Sequence, residues 1–325
     1  MKVKTLLKFA LLVGAIGLTI ILSQYQEVEY TGKAVYENGR IDAYFCPEED
    51  CIGKIAGELN KSEEYIHCAI YNLNHDAIRD VLMKKEVDVK LVTDRSNIRS
   101  LNGVETVRNY DTSQLMHNKF CIIDGKKVIT GSFNPAISEM NHTNNILIIS
   151  SKYIAENYEK EFQELFSKQF GKGAQTINTK IYLNNKRVEN YFCPEDECSQ
   201  KVIREIQGAN ESVQFYAFSF TDKDIAQELV KKQKEGKMVE GLMEETQRSQ
   251  YDQYDEMKDG GINVKWYEKK YKLHDKVFII DRKIVITGSY NPTQNADKNN
   301  DENIMIIEDE AIAKEYAERF RTLSS

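Results

Sequence analysis

A long internal repeat governs what this chain can fold into. His117-x-Lys119, Asp124 and Gly131-Ser132-x-Asn134 recur 157 positions later as His274-x-Lys276, Asp281 and Gly288-Ser289-x-Asn291, with every internal spacing kept. The repetition reaches well beyond those residues. Tyr44-Phe45-Cys46-Pro47 with Cys51 is matched by Tyr191-Phe192-Cys193-Pro194 with Cys198. Apolar runs at 65–71 and 213–218 are followed by amphipathic segments at 76–85 and 222–234, then by further apolar runs at 87–93 and 238–243. Late in each half, Asn145-Ile-Leu-Ile-Ile149 matches Asn303-Ile-Met-Ile-Ile307. Ile154, Tyr158 and Phe162 match Ile312, Tyr316 and Phe320 at helical spacing.

Strands alternating with helices predict an α/β fold. A period of this length is too long for a solenoid and indicates domain duplication. The expected architecture is two α/β halves, residues 30–172 and 180–325, with mixed sheets flanked by helices and packed about a pseudo-two-fold axis. The join falls in the weakly hydrophobic stretch 171–179.

The first 26 residues stand apart. Lys2, Lys4 and Lys8 precede a charge-free stretch from Phe9 to Gln26 with an apolar core to Leu22. A basic start before an apolar run reads as an export signal or signal anchor. Small residues suited to cleavage are not evident around Leu22, so an uncleaved anchor is the expectation, with the catalytic body outside the cytoplasm. A cleaved leader and a secreted body is the other reading. Outside the cytoplasm, Cys46 with Cys51 and Cys193 with Cys198 are candidate disulfides. Each closes a small loop contributing about 2 kcal/mol. A four-cysteine metal site is the rival, although the spacing is not that of a zinc knuckle. Cys68 and Cys121, in apolar runs, are expected to be free core thiols. The net charge of −7 argues against a broad basic surface for nucleic acid.

Within each half, an apolar run, an Asp-containing turn and a second run bring His and Lys to one face and Gly-Ser-x-Asn to the neighbouring strand end. Two imidazoles, two ammonium groups and small polar donors suffice to hold and cleave a phosphodiester. The pattern resembles the phospholipase D superfamily, whose hallmark is the paired HxKxxxxD…GSxN motif. The compact size is similar to Nuc-type endonucleases and mitochondrial cardiolipin hydrolase. The resemblance implies nucleophilic attack by one histidine, giving a phosphohistidine, and acid–base work by the other. It implies that Lys119 and Lys276 neutralise phosphoryl oxygens, helped by Ser132, Asn134, Ser289 and Asn291. It also implies that Asp124 and Asp281 act as supports, and that no metal or cofactor is required.

The halves differ before the last strand, where Asp301-Glu302 faces Thr143-Asn144. Glu302 is expected to back His274 and make it the general acid, with His117 as nucleophile; Asn144 would serve the other histidine more weakly. His142 lies close enough in sequence to reach the pocket mouth, but a solvated loop histidine is the expectation, and His67 and His75 receive no role. Two substrates compete. A phospholipid fits an exported, acidic, anchored body, with hydrolysis or transfer to an alcohol as variants. DNA or RNA fits the interleaved lysines and aromatics of Lys265-Trp266-Tyr267 and Lys269-Lys270-Tyr271-Lys272. The partners expected are that substrate and, through the leader, a membrane; no obligatory protein partner is evident.

Overall fold

The structure, a computed structural model, describes residues 34–95 and 101–325. The expected anchor at 1–26 therefore lies outside the described residues. Among the described residues, no helix is long and apolar enough to cross a membrane.

The first half builds seven strands after a short leading one, β1 (Val35–Glu37): β2 (Arg40–Cys46), β3 (Tyr65–Ile70), β4 (Asp88–Asp94), β5 (Glu105–Asn109), β6 (Lys119–Ile123), β7 (Lys127–Gly131) and β8 (Asn144–Ser150). The second builds β9 (Ile181–Leu183), β10 (Lys186–Cys193), β11 (Ser212–Ala217), β12 (Met238–Glu244), β13 (Asn263–Tyr267), β14 (Lys276–Ile280), β15 (Ile284–Gly288) and β16 (Glu302–Glu308). One sheet runs β2-β8-β7-β6-β3-β4-β5. The other runs β10-β16-β15-β14-β11-β12-β13, the same order, extended at one edge by β9 and β1. Parallel pairs (β3–β4, β4–β5) and antiparallel ones (β6–β7, β7–β8) coexist, so the sheets are mixed as expected. The leading strand β1 pairs with β9 and so belongs to the sheet of the second half.

Helices cover both faces. On the outer sides lie α1 (Cys51–Leu59), α2 (Asp76–Lys84), α4 (Cys198–Gln207), α5 (Lys223–Lys234), α6 (Tyr254–Asp259) and α7 (Gln294–Lys298). Two long helices, α3 (Lys152–Phe166) and α8 (Glu310–Ser324), contribute to the core that the two halves share. Ser151 and Asp309 start these helices by accepting the N–H groups of Ile154 and Ala311. Their apolar faces meet residues of both sheets. Tyr158 packs edge-on against Phe120 at 4.9 Å and against Phe192 of the other half at 4.9 Å. Two further cores, one per half, fill the space beneath the outer helices.

Cys46–Cys51 and Cys193–Cys198 are disulfides, which removes the four-cysteine metal alternative. Cys68 and Cys121 are not free thiols but a third disulfide. They sit directly opposite each other on antiparallel β3 and β6, and their Cα atoms are 4.1 Å apart. Burial in apolar strands is shared by free and bridged cysteines. The cross-strand register decides between them, and hydrophobic patterning does not reveal it.

Candidate active site

The backbone places the site by crossing the two halves. His117 N–H donates to the carbonyl of Asp301 at 3.0 Å, and Asp301 N–H donates to that of Leu115 at 2.9 Å. The pseudo-equivalent exchange links His274 N–H to Thr143 O at 3.0 Å and Thr143 N–H to Lys272 O at 2.9 Å. The segment leading into each motif strand thus pairs with the segment leading into the other half's last strand. Side chains repeat the exchange, with Thr130 Oγ1 on Asn303 Oδ1 at 2.9 Å and Asn145 Nδ2 on Thr287 Oγ1 at 2.7 Å.

This crossing corrects the expected partner of Glu302. Glu302 does not back His274. His117 Nδ1 lies 2.8 Å from both of its carboxylate oxygens, within a buried pair. His274 Nδ1 instead bonds Asn144 Oδ1 at 2.9 Å. Aligning the halves in sequence matches Glu302 to its own motif, but the last strand of each half begins beside the histidine of the other. His274 is not without a carboxylate either. Glu139 Oε2, from the short 3-10 turn Ile137–Glu139, lies 3.3 Å from its Nδ1 and also accepts Asn144 Nδ2 at 3.4 Å. His142 Nδ1 stands 3.5 Å from the same oxygen, so His142 belongs to the surroundings of His274. Sequence reasoning missed Glu139 because the matching position of the other half, on the short helix Gln294–Lys298, is Ala296 and no repeat marks it.

With both Nδ1 atoms held by acceptors, each ring keeps Nε2 for the substrate. Burial lowers the pKa of His117 against the opposing pull of Glu302. Burial and the charges of Lys276 and Lys119 hold His274 well below the usual range. Both rings therefore hold a proton less tightly than a free imidazole, and a phosphodiester anion bound between them opposes that shift and favours the protonated form of the acid. Lys119 Nζ donates to His117 O at 2.6 Å, and Lys276 Nζ donates to His274 O. Burial pushes Lys119 down to about 7 and Lys276 down to about 8. Tyr71 and Phe218 wall the two sides, each 4.8 Å from its histidine edge-to-face.

The Gly-Ser-x-Asn turns close the pocket. A Cβ on Gly131 would stand 2.3 Å from Asn145 O, and one on Gly288 2.2 Å from Asn303 O; both residues have positive φ. Ser132 Oγ donates to Asn144 Oδ1 at 2.9 Å and accepts Asn145 N–H, so it fixes the amide that holds His274. Ser289 Oγ accepts Asn303 N–H at 2.9 Å. Asn134 Oδ1 and Asn291 Oδ1 are buried without a protein partner, so each of these oxygens is open to a donor.

Asp124 and Asp281 lie elsewhere, at the far ends of β6 and β14, about 16 Å along the strand from the lysines. Asp124 accepts the N–H groups of Glu63, Glu64 and Tyr65 and the hydroxyl of Ser62. Asp281 accepts those of Asn210, Glu211 and Ser212. They support loops and do not reach the site. His67 pairs with Glu159 at 2.8 Å, and His75 caps α2.

A family model described as "Cardiolipin synthase, PLD-like domain" matches residues 55–166 and again 202–324. The chain belongs to the phospholipase D superfamily. It is 34% identical over 139 residues to "Phospholipase D" of Rickettsia conorii, covering 42% of this chain and 70% of that protein. It is 34% identical over 95 residues to "Mitochondrial cardiolipin hydrolase" of Xenopus laevis, covering 26% and 45% of the two. The solved phosphatidylserine synthase of Haemophilus influenzae superposes with a TM-score of 0.65 at 12% identity, over 86% of this chain and 85% of that one, a likeness of fold. The chain is a phosphodiester hydrolase of this superfamily.

Proposed function

We propose that this chain is an exported phospholipase D that hydrolyses phospholipid head-group diesters through a phosphohistidine. The observation that carries the reading is the pair of buried imidazoles, each oriented through Nδ1 and each with a lysine adjoining. His117 Nε2 attacks phosphorus as the bond to the leaving oxygen breaks, and His274 supplies that oxygen's proton. Water then attacks phosphorus, giving its proton to His274, and the P–N bond breaks to free His117. The nucleophile is assigned to His117 because the phosphoimidazolium is an intermediate that must persist, and Glu302 in contact with Nδ1 balances its charge. The acid's charge is transient, and the more distant Glu139 suffices for it. Lys119, Lys276, Asn134 and Asn291 take the phosphoryl oxygens.

A lipid substrate is favoured by the mouth of the site. Ile137, on the turn that carries Glu139, is 65% exposed, and Tyr271, three residues before His274, is 40% exposed among Lys269, Lys270 and Lys272. Apolar tips beside lysines suit an anionic bilayer surface. Trp266 does not offer a free ring for base stacking, since it stacks on Tyr254 at 4.4 Å and lies under Arg248 at 4.8 Å. Three disulfides suit a body outside the cytoplasm, and the leader would anchor it there.

The test is an assay with EDTA present on phospholipid vesicles, single-stranded DNA and RNA, with His117→Asn as control. Head-group release that disappears in the variant supports the proposal. Cleavage of nucleic acid with intact lipid establishes the nuclease alternative, and added alcohol reveals transfer. The phosphatidyl group trapped by an alkaline denaturing quench should map to His117; its appearance on His274 would reverse the two roles.

A further inference from the structure

The repeat lets each buried side chain be compared with its counterpart. The register that matches Ile154, Tyr158 and Phe162 with Ile312, Tyr316 and Phe320 places Glu161 opposite Arg319. The repeated Cys-Pro loops place Glu195 opposite Glu48. On one side of the pseudo-two-fold axis the pair is complementary. Arg319 Nη1 meets Glu48 Oε1 at 2.6 Å, and Nη2 donates to Cys46 O at 3.0 Å. On the other side a carboxylate, Glu161, holds the position of the guanidinium and faces a carboxylate, Glu195, with Glu164 one helical turn away. One oxygen from each of the three lies within 4.8 Å of the others.

A fourth carboxylate, Asp301, stands behind them. It is 1% exposed, its Oδ1 accepts Gly171 N–H at 2.6 Å, and its Oδ2 is buried with no partner. The strongest charges acting on Glu161 come from Glu195, Asp301, Glu164 and Asp196, and Glu195 acts in turn on Asp301. Glu195 Oε2 is likewise buried and unpartnered. Half-buried carboxylates gathered around the buried Glu161 and Asp301 in this way need a countercharge.

We propose that Glu161, Glu164 and Glu195, backed by Asp301, bind a divalent cation, Ca2+ in preference to Mg2+, where the other half uses the guanidinium of Arg319. Ca2+ accepts irregular sets of carboxylates and waters at about 2.3–2.6 Å, whereas Mg2+ demands a near-regular octahedron. A helix and a loop supply the ligands here, and three oxygens so close together can all reach one such ion. The join between the halves is fitted to the cluster. A Cβ on Gly173 would stand 2.2 Å from both Glu164 Oε2 and Glu195 Oε1, and Ala174 N–H donates to both oxygens of Glu164 at 3.2 Å. The ion would tie α3 of the first half to the Cys193 loop of the second. It would also sit one bond network from the catalytic centre: Asn118, between His117 and Lys119, donates to Glu161 Oε1 at 3.3 Å, and the carbonyl of Asp301 accepts His117 N–H. Its role is structural and leaves the histidine chemistry as described.

The test uses the full-length protein stripped with EGTA and titrated with CaCl2, followed by calorimetry and thermal unfolding. The expected result is one ion per chain and a rise in Tm of about 5 °C at a hundredfold excess over Kd. Glu195→Gln should lose both responses. Glu161→Arg, which copies the other half, should unfold at the same temperature with EGTA as with Ca2+. Absence of binding in the wild-type protein, an equal rise with NaCl at matched ionic strength, or a Ca2+ response retained by either variant would overturn the proposal.

Discussion

At the scale of single residues, the two histidines differ in what stands behind them. Glu302 touches both of its oxygens to His117 Nδ1, whereas His274 has an amide at 2.9 Å and a carboxylate at 3.3 Å. Replacing Glu139 with Gln removes that carboxylate, lowers the affinity of His274 for its proton, and should cost about tenfold in kcat. The optimum of the variant should move to lower pH, a shift that a purely structural role for Glu139 would not produce. The wild-type profile is set by the same groups. As pH falls, protonation of His117 removes the nucleophile, and above pH 7–8 Lys119 and Lys276 lose the charges that hold phosphate. kcat/KM for a soluble short-chain substrate should therefore be bell-shaped, and a flat profile to pH 9 would exclude the lysines as the phosphate ligands. The motif residues were legible in the sequence because they occur twice. Glu139 was not, because the matching position of the other half, on the short helix Gln294–Lys298, is Ala296.

At the scale of elements, Asp124 shows how a motif residue can recur for reasons of folding. It follows β6 and gathers three backbone N–H groups and the Ser62 hydroxyl where α1 gives way to β3. Burial raises its pKa, but those donors outweigh it and hold the group at about 2. A folded pKa below the unfolded value contributes stability above about pH 4 that is lost as pH falls towards 2. Asp124→Asn should lower stability by about 1–3 kcal/mol, read from denaturant midpoints, while kcat/KM of the folded variant stays at the wild-type value. The strands and helices were readable from periodicity, with ends displaced by a residue or so; the segment at 76–85 becomes a helix at Asp76–Lys84, for example. Register was not readable. The bridge between Cys68 and Cys121 and the pairing of β1 with β9 depend on which residues of remote strands lie opposite each other, and hydrophobic patterning is silent on that.

At the scale of the whole molecule, neither half owns a complete site. Each motif histidine takes its main Nδ1 partner from the other half, and the strand leading into it is hydrogen-bonded there as well. Residues 34–172 or 173–325 expressed alone should show no measurable hydrolysis, and co-expression should restore it; full activity in a monomeric half would refute the crossed arrangement. The two lips of the site also differ. Lys269, Lys270, Tyr271 and Lys272 precede His274, while Tyr110, Asp111, Thr112, Ser113 and Gln114 precede His117. In an assembly of two identical chains the lips would be alike, and a diester could enter in either direction. Fusing the copies into one chain has let the sides drift apart, so that the segment entering one motif strand carries cations and the segment entering the other carries neutral and acidic groups.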